Sequence, residues 1–167
     1  AFAIYDSKKD LIFLSRDRYG KKPLYYYNSG DKFIFGSEIK SILSHQIERI
    51  ANKEVISDYL YFSMLNHTDE TFFEGIKCIP PAHNAFFDLE KNKLELVPFY
   101  KINFTDSDVS SISKNLYNST KLRLVSDVPV SISLSGGIDS SVISSIVAEI
   151  NQSNTSAFTL DPGKNKV

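Results

Sequence analysis

Cysteine is almost missing from this sequence: Cys78 stands alone among 167 residues. No intrachain disulfide can form, and a reducing, cytoplasmic setting fits better than a secreted one. Net charge is equally scarce. Nineteen Lys and Arg stand against 20 Asp and Glu, a formal charge of -1, so no global field recruits nucleic acid or an anionic membrane. No run reaches the roughly eighteen consecutive apolar residues of a membrane span, and no basic region opens the N-terminus as in a secretory signal. The chain opens at Ala1 inside the apolar run AFAIY, without an initiator Met. Natural termini are more often polar and frayed, so an internal fragment is expected. What is plentiful is apolar residue, 42%, enough to bury a core in one domain or in pieces of two.

From Ala1 to Phe35, runs of strand length (AFAIYD, LIFLSRD, PLYYYN, FIFGSE) alternate with clusters of Gly, Asp, Ser and Lys. That pattern predicts a β-meander, with a short antiparallel turn at Ser29 to Lys32. SEIKSILSH and EVISDYLYFSML carry helical spacing, and both helices are expected to lie on the sheet. Pro80 and Pro81 forbid helix in FFEGIKCIPPAH, and AFFDLEKNKLELVPFY reads as a hairpin turning near Lys91 to Lys93. Residues 1–104 are therefore expected to form an α+β domain dominated by antiparallel strands. Composition shifts to Ser, Asp and Thr at Ile102 to Lys114. A boundary is placed near Phe104, followed by a helix capped by Asp106 or Ser107 and burying Val109, Ile112 and Leu116. In residues 105–167, VPVSISL, SSVISSIVAEI (with Val142, Ile146 and Ile150 in line) and TSAFTL read as strand, helix, strand, a parallel βαβ unit.

The turn inside that unit, LSGGIDSS, carries chemistry. A helix starting near Asp139 or Ser140 leaves its first backbone N–H groups unpaired at the positive end of its dipole. Gly136 and Gly137 permit backbone closed to other residues and close approach of a phosphate, while Ser135 and Ser140 add hydroxyl donors. Asp139 suits such a cradle once a cation is present, because a carboxylate beside a polyphosphate helps to hold Mg²⁺. The competing reading is a plain N-cap behind a tight loop. S-G-G-x-D-S, however, fixes five positions and arises by chance on the order of once in 10⁴ chains of this length. Neither G-x-x-x-x-G-K-[ST] nor G-x-G-x-x-G is present. Without the lysine of the former, the loop suits a pyrophosphate that departs as a unit, which points toward adenylation.

These residues resemble a known family. LSGGIDSS resembles the PP-loop of the ATP-pyrophosphatases, and RLVSDVPV its approach in the glutamine-hydrolysing asparagine synthetases. SRDRYGKKPLYYY, FIFGSEIKSIL, TFFEGIKCIPPAH and PFY are similar, in order and spacing, to that family's glutaminase domain. The resemblance implies the rear of an N-terminal-nucleophile glutaminase, an antiparallel sandwich layered by helices (residues 1–104), joined to the front of an α/β parallel-sheet PP-loop domain (residues 105–167). It implies ATP and Mg²⁺, with aspartate and glutamine as further substrates: aspartate is adenylated, ammonia from glutamine displaces AMP, and pyrophosphate leaves. Ser135, Gly136, Gly137, Asp139 and Ser140 would cradle the phosphates, Asp139 would also ligate the metal, and Leu134 and Leu160 match positions contacting adenosine. The full-length parent could be a homodimer. No catalytic residue is expected here, because the family's nucleophile is an N-terminal cysteine and Cys78 lies mid-chain. Ala82 stands where the family often has Gly, which raises the question of a turn with positive φ.

Other readings compete. The basic and aromatic residues of RDRYGKKPLYYY could stack single-stranded nucleic acid, though half-buried meanders carry such residues routinely. His45, His67 and His83 lack metal-ligand spacing, and Asp69, Glu70, Asp106 and Asp108 read as solvated caps. A β-lactam-type synthetase that adenylates another carboxylate, or a non-catalytic paralogue serving in assembly, shares the same architecture.

Overall fold

The computed structural model describes residues 1–103, 111–150 and 155–160, and the chain divides into two compact units, Ala1–Asn103 and Phe104–Val167. The capping expectation for Asp106 or Ser107, and the burial expected of Val109, lie outside the described residues.

In the first unit, β1 (Phe2–Asp6), β2 (Leu11–Ser15), β6 (His83–Asp88) and β7 (Lys93–Pro98) form one antiparallel sheet in the order β1-β2-β6-β7. A second antiparallel sheet has the order β4-β3-β5, from β3 (Tyr25–Asn28), β4 (Phe33–Gly36) and β5 (Ile76–Cys78). The predicted meander is therefore two hairpins in two sheets: β2 and β3 are not neighbours. Period-two alternation turns one face inward. Leu14 opposite Ala85 and Ile12 opposite Phe87 meet Leu24, Tyr26, Ile79 and Phe33 in a single core. Phe33 of one sheet stacks on Phe87 of the other with centroids 3.9 Å apart. The fully buried Leu14 and Ile79 each contribute about 1.5–3 kcal/mol.

Residues 16–24 carry the chain from one sheet to the other, and Arg16 organises them. Its guanidinium donates to the carbonyl oxygens of Lys22 (3.2 Å), Gly20 (2.9 Å) and Ile79 (2.6 Å) and to Cys78 Sγ (3.0 Å). Gly20 has φ +63, and a Cβ there would come within 2.8 Å of Pro81 Cγ, so only glycine fits beneath the guanidinium. Asp17 receives the backbone N–H groups of Lys21 (2.9 Å) and Lys22 (3.1 Å). Those bonds, Lys22 first, hold its carboxyl below the usual carboxylate range. Arg18 lies over the ring of Tyr100 and Tyr19 stands edge-on to it, so with Arg16 these side chains of the stretch are engaged in the fold, while Lys21 and Lys22 are exposed.

Helix α1 (Ile39–Leu43) is a short turn that buries Ile42. Helix α2 (Lys53–Phe62) is capped by Asn52, whose side chain accepts the N–H of Val55. It buries Val55 but leaves Leu60 73% and Tyr61 81% exposed, so burial is confined to its N-terminal half and most of the helix does not lie covered on the sheet as expected. Asp69 and Glu70 are not free caps: Lys77 Nζ lies 2.5 Å from Glu70 and 3.6 Å from Asp69. The β6–β7 turn is residues 89–92, earlier than expected, because Asp88 accepts the N–H of Lys91 at 2.8 Å and Asn92 takes φ +51.

In the second unit, α3 (Ser111–Arg123), β8 (Ile132–Ser133), α4 (Ile138–Ile150) and β9 (Ala157–Phe158) follow in order. β8 and β9 pair in parallel, Ile132 with Ala157 and Ser133 with Phe158. The predicted βαβ order is thus present, with strands shorter than the apolar runs suggested. Ile112 is 60% exposed and Leu116 37%, contrary to the burial expected of them. On α4 the buried side chain is Val147 rather than the line through Val142.

Candidate functional site

Between β8 and α4 the chain turns within four residues, 134–137. Leu134 is the last tied residue, its N–H donating to the carbonyl of Phe158 at 2.8 Å. Gly136 then takes φ +82 with nothing within 4 Å of where a Cβ would sit. The positive φ, not crowding, makes glycine the fit there. Helix α4 begins at Ile138, one residue earlier than the sequence suggested. The N–H groups of Ile138, Asp139 and Ser140 have no acceptor among the described residues, as the first turn of any helix requires.

Two hydroxyls close over that turn. Ser135 Oγ and Ser140 Oγ are 3.0 Å apart, the Gly137 N–H donates to Ser135 Oγ at 3.4 Å, and Ser140 Oγ donates to the Gly137 carbonyl at 3.1 Å. Ser135, Gly136, Gly137 and Asp139 are exposed and Ser140 half-buried. Unpaired N–H groups and two hydroxyls thus converge at the positive end of a helix whose first turn also carries the exposed Asp139. Leu134 follows β8 and Leu160 follows β9, so both leave the carboxyl edge of the parallel pair. Leu160 is 90% exposed. Among the described residues no group of three or more His, Cys, Asp or Glu could hold a metal unaided, and no helix is long and apolar enough to cross a membrane.

Cys78 lies in the other unit, on β5, half-buried. Burial pushes its thiol up, partly countered by Arg16. Burial thus favours the neutral, weakly nucleophilic form of the thiol, and the guanidinium offsets this only in part. Sequence reasoning missed the cavity of about 660 Å³ beside it, walled by Arg16, Tyr25, Asn66, His67, Asp69 and Cys78. The signal was divided between two stretches some fifty residues apart, and no pattern in either stretch pointed to the other.

Residues 1–100 match the glutamine amidotransferase domain family. The chain belongs to that family. The two antiparallel sheets with a few helices fit the N-terminal-nucleophile glutaminase fold expected of a glutamine amidotransferase domain. Residues 111–165 match a second family, asparagine synthase, so the chain joins segments of both. It is 38% identical to the putative asparagine synthetase [glutamine-hydrolyzing] 2 of Methanocaldococcus jannaschii, over 89% of this chain and 30% of that protein. It is likewise 38% identical to asparagine synthetase [glutamine-hydrolyzing] 3 of Bacillus subtilis, over 89% of this chain and 25% of that one. Amidase chyE of Penicillium rubens is 31% identical over 93% of this chain and 24% of its own length. The chain thus spans between 24% and 30% of these relatives.

Proposed function

We propose that this chain belongs to an ATP-dependent amidoligase that makes asparagine from aspartate and glutamine-derived ammonia. The carboxylate is activated as β-aspartyl-AMP, and AMP and pyrophosphate are released. One observation supports this above the others: a glycine-turned helix start with two convergent hydroxyls follows a glutamine amidotransferase domain in the same polypeptide. A glutaminase supplies ammonia, and a pyrophosphate cradle supplies an activated carboxylate for it to attack.

In this reading residues 1–104 are the rear of the glutaminase domain and residues 105–167 the front of a PP-loop ATP-binding domain. Ser135, Gly136, Gly137, Asp139 and Ser140 hold the phosphates, and Leu134 and Leu160 flank the adenosine. The donor set fits a magnesium-bound polyphosphate, because Mg²⁺ is commonly held by one or two carboxylates plus phosphate oxygens. Asp139 provides the single carboxylate such sharing needs. Bound there, the ion would offset charge on the departing pyrophosphate.

The test is Asp139→Ala in the complete parent polypeptide. Loss of ATP-dependent amide formation with glutamine hydrolysis largely retained is expected; equal loss of both activities, or of neither, would refute the assignment. The 31% identity to a protein named an amidase favours keeping a second reading, an amidotransferase of the same build with another acceptor carboxylate, such as a β-lactam-type synthetase. Aspartate-dependent release of pyrophosphate separates the two. A non-catalytic paralogue would release none with any acceptor.

A further inference from the structure

We propose that residues 63–69 form a movable strap over the 660 Å³ cavity of the first unit, with the His67–Asp58 pair as its latch and Asn66 as the partition between two chambers. The strap starts where α2 ends. Ser63 closes the helix in the left-handed region at φ +54, its N–H donating to the Tyr59 carbonyl at 2.9 Å. Three residues on, Asn66 returns to that region at φ +60. A left-handed C-cap followed by a left-handed Asn turns the chain twice within four residues and leads it away from the helix without regular structure.

Few bonds tie the segment to its neighbours. Met64 N–H reaches the Asp58 carbonyl at a long 3.4 Å. Between Leu65 and Thr68, the one hydrogen bond to another element among the described residues is His67 Nε2 to Asp58 Oδ2, at 2.9 Å. Beyond it the chain is fixed again: the Asp69 carbonyl accepts the Cys78 N–H at 2.7 Å, and Glu70 pairs with Lys77. A span anchored at both ends and tied once in the middle moves as a unit when the tie opens.

What it covers gives the movement a consequence. Asn66, Tyr25 and Cys78 line the 660 Å³ cavity and also a second one of about 140 Å³ that reaches Val55, Leu65 and Thr71. Swinging Asn66 outward joins the two and exposes Cys78 from a second side. Opening therefore enlarges the space a bound molecule could fill without disturbing either sheet.

Cys78, the one thiol of these 167 residues, reports on this directly. In the full chain, the alkylation rate of Cys78 is measured with a small maleimide (N-methyl) and a bulky one (N-pyrenyl). Their ratio cancels the thiolate fraction and leaves access. His67→Gln and Asp58→Asn are each expected to raise the bulky-to-small rate ratio about tenfold, and the double variant to raise it no further. Hydrogen exchange of the β2 and β6 amides, followed in parallel, is expected to stay unchanged. An unaltered ratio in both variants, or a rise matched by an equal loss of β2 and β6 protection, would overturn the strap.

Discussion

The N–H of Ala82 donates to the carbonyl of Asp17 at 3.0 Å, and Ala82 holds φ +60 while almost wholly buried. The turn after Pro80 and Pro81 is thereby pinned to the crossing between the sheets by a residue in a conformation that L-residues resist. The positive φ in question at Ala82 is thus a real feature of the backbone.

Ala82→Gly is expected to be nearly neutral. It releases about 1–2 kcal/mol of left-handed strain. It gives back about 0.4–1 kcal/mol through the more flexible unfolded chain and about 0.8 kcal/mol with the buried methyl. Ala82→Val offers no such balance, since a β-branched residue there adds strain and overpacking worth about 3 kcal/mol together. Urea midpoints at constant m-value check both, with glycine within about 1 kcal/mol of the parent and valine far below it.

Arg16 supports the crossing from beneath. Arg16→Met leaves the carbonyls of Gly20 and Ile79 without a donor, and a loss of about 2–4 kcal/mol is expected on the scale of unsatisfied part-buried acceptors. Arg16→Lys recovers only part of it, because one ammonium cannot reproduce a planar fork spread over three carbonyls and a thiol. The same guanidinium partly offsets the burial that raises the Cys78 thiol. In Arg16→Met the pH profile of Cys78 alkylation is therefore expected to shift to still higher pH. For stability the sign is fixed by the raised thiol: its contribution is complete below the ordinary thiol value near 8.5 and is lost as pH rises through the folded value.

Acid acts on Asp17 in the opposite sense. The backbone N–H groups of Lys22 and Lys21 keep its folded carboxyl below the ordinary value. Its contribution is therefore present above roughly pH 4 and disappears as pH falls through the folded value. Asp17→Asn is expected to lower the urea midpoint at pH 7 and to converge on the parent toward pH 2. A gap that stays constant across that range would place the effect in packing, not in charge.

Much of this was legible beforehand where local rules decide. The α2 helix, the β6–β7 hairpin and the β8–α4–β9 order follow from spacing and turn residues alone. The partition into two sheets did not, because the neighbour of β2 is β6, some seventy residues on, and the neighbour of β3 is β5. Short links between apolar runs reveal antiparallel pairing but cannot tell which pairs are interrupted by a distant strand. The exposure of Ile112 and Leu116 was equally hidden, since helical spacing names a face and says nothing about how much covers it. In the candidate site the glycines, hydroxyls and Asp139 were readable as a motif. The mutual bond between Ser135 and Ser140 was not, as it depends on the left-handed turn at Gly136 that brings the two hydroxyls together.

That turn supplies the sharpest test of the cradle. Gly136 sits at φ +82 in open space, whereas a Cβ on Gly137 would lie 3.5 Å from Ser135 Oγ, an ordinary contact, and Gly137 has no positive φ. Alanine at position 136 therefore costs about 1–2 kcal/mol in backbone strain, or else the turn relaxes and its N–H groups re-aim. Alanine at position 137 strains nothing in the unliganded loop. If backbone direction makes the site, Gly136→Ala weakens magnesium-ATP binding by the complete parent polypeptide about tenfold or more, and Gly137→Ala does markedly less. If phosphate instead presses against the Gly137 backbone, the order reverses, because only there would a methyl occupy the ligand's place. Isothermal titration calorimetry on the two variants reads the order directly, and equal affinities for both and for the parent would remove this turn from nucleotide binding altogether.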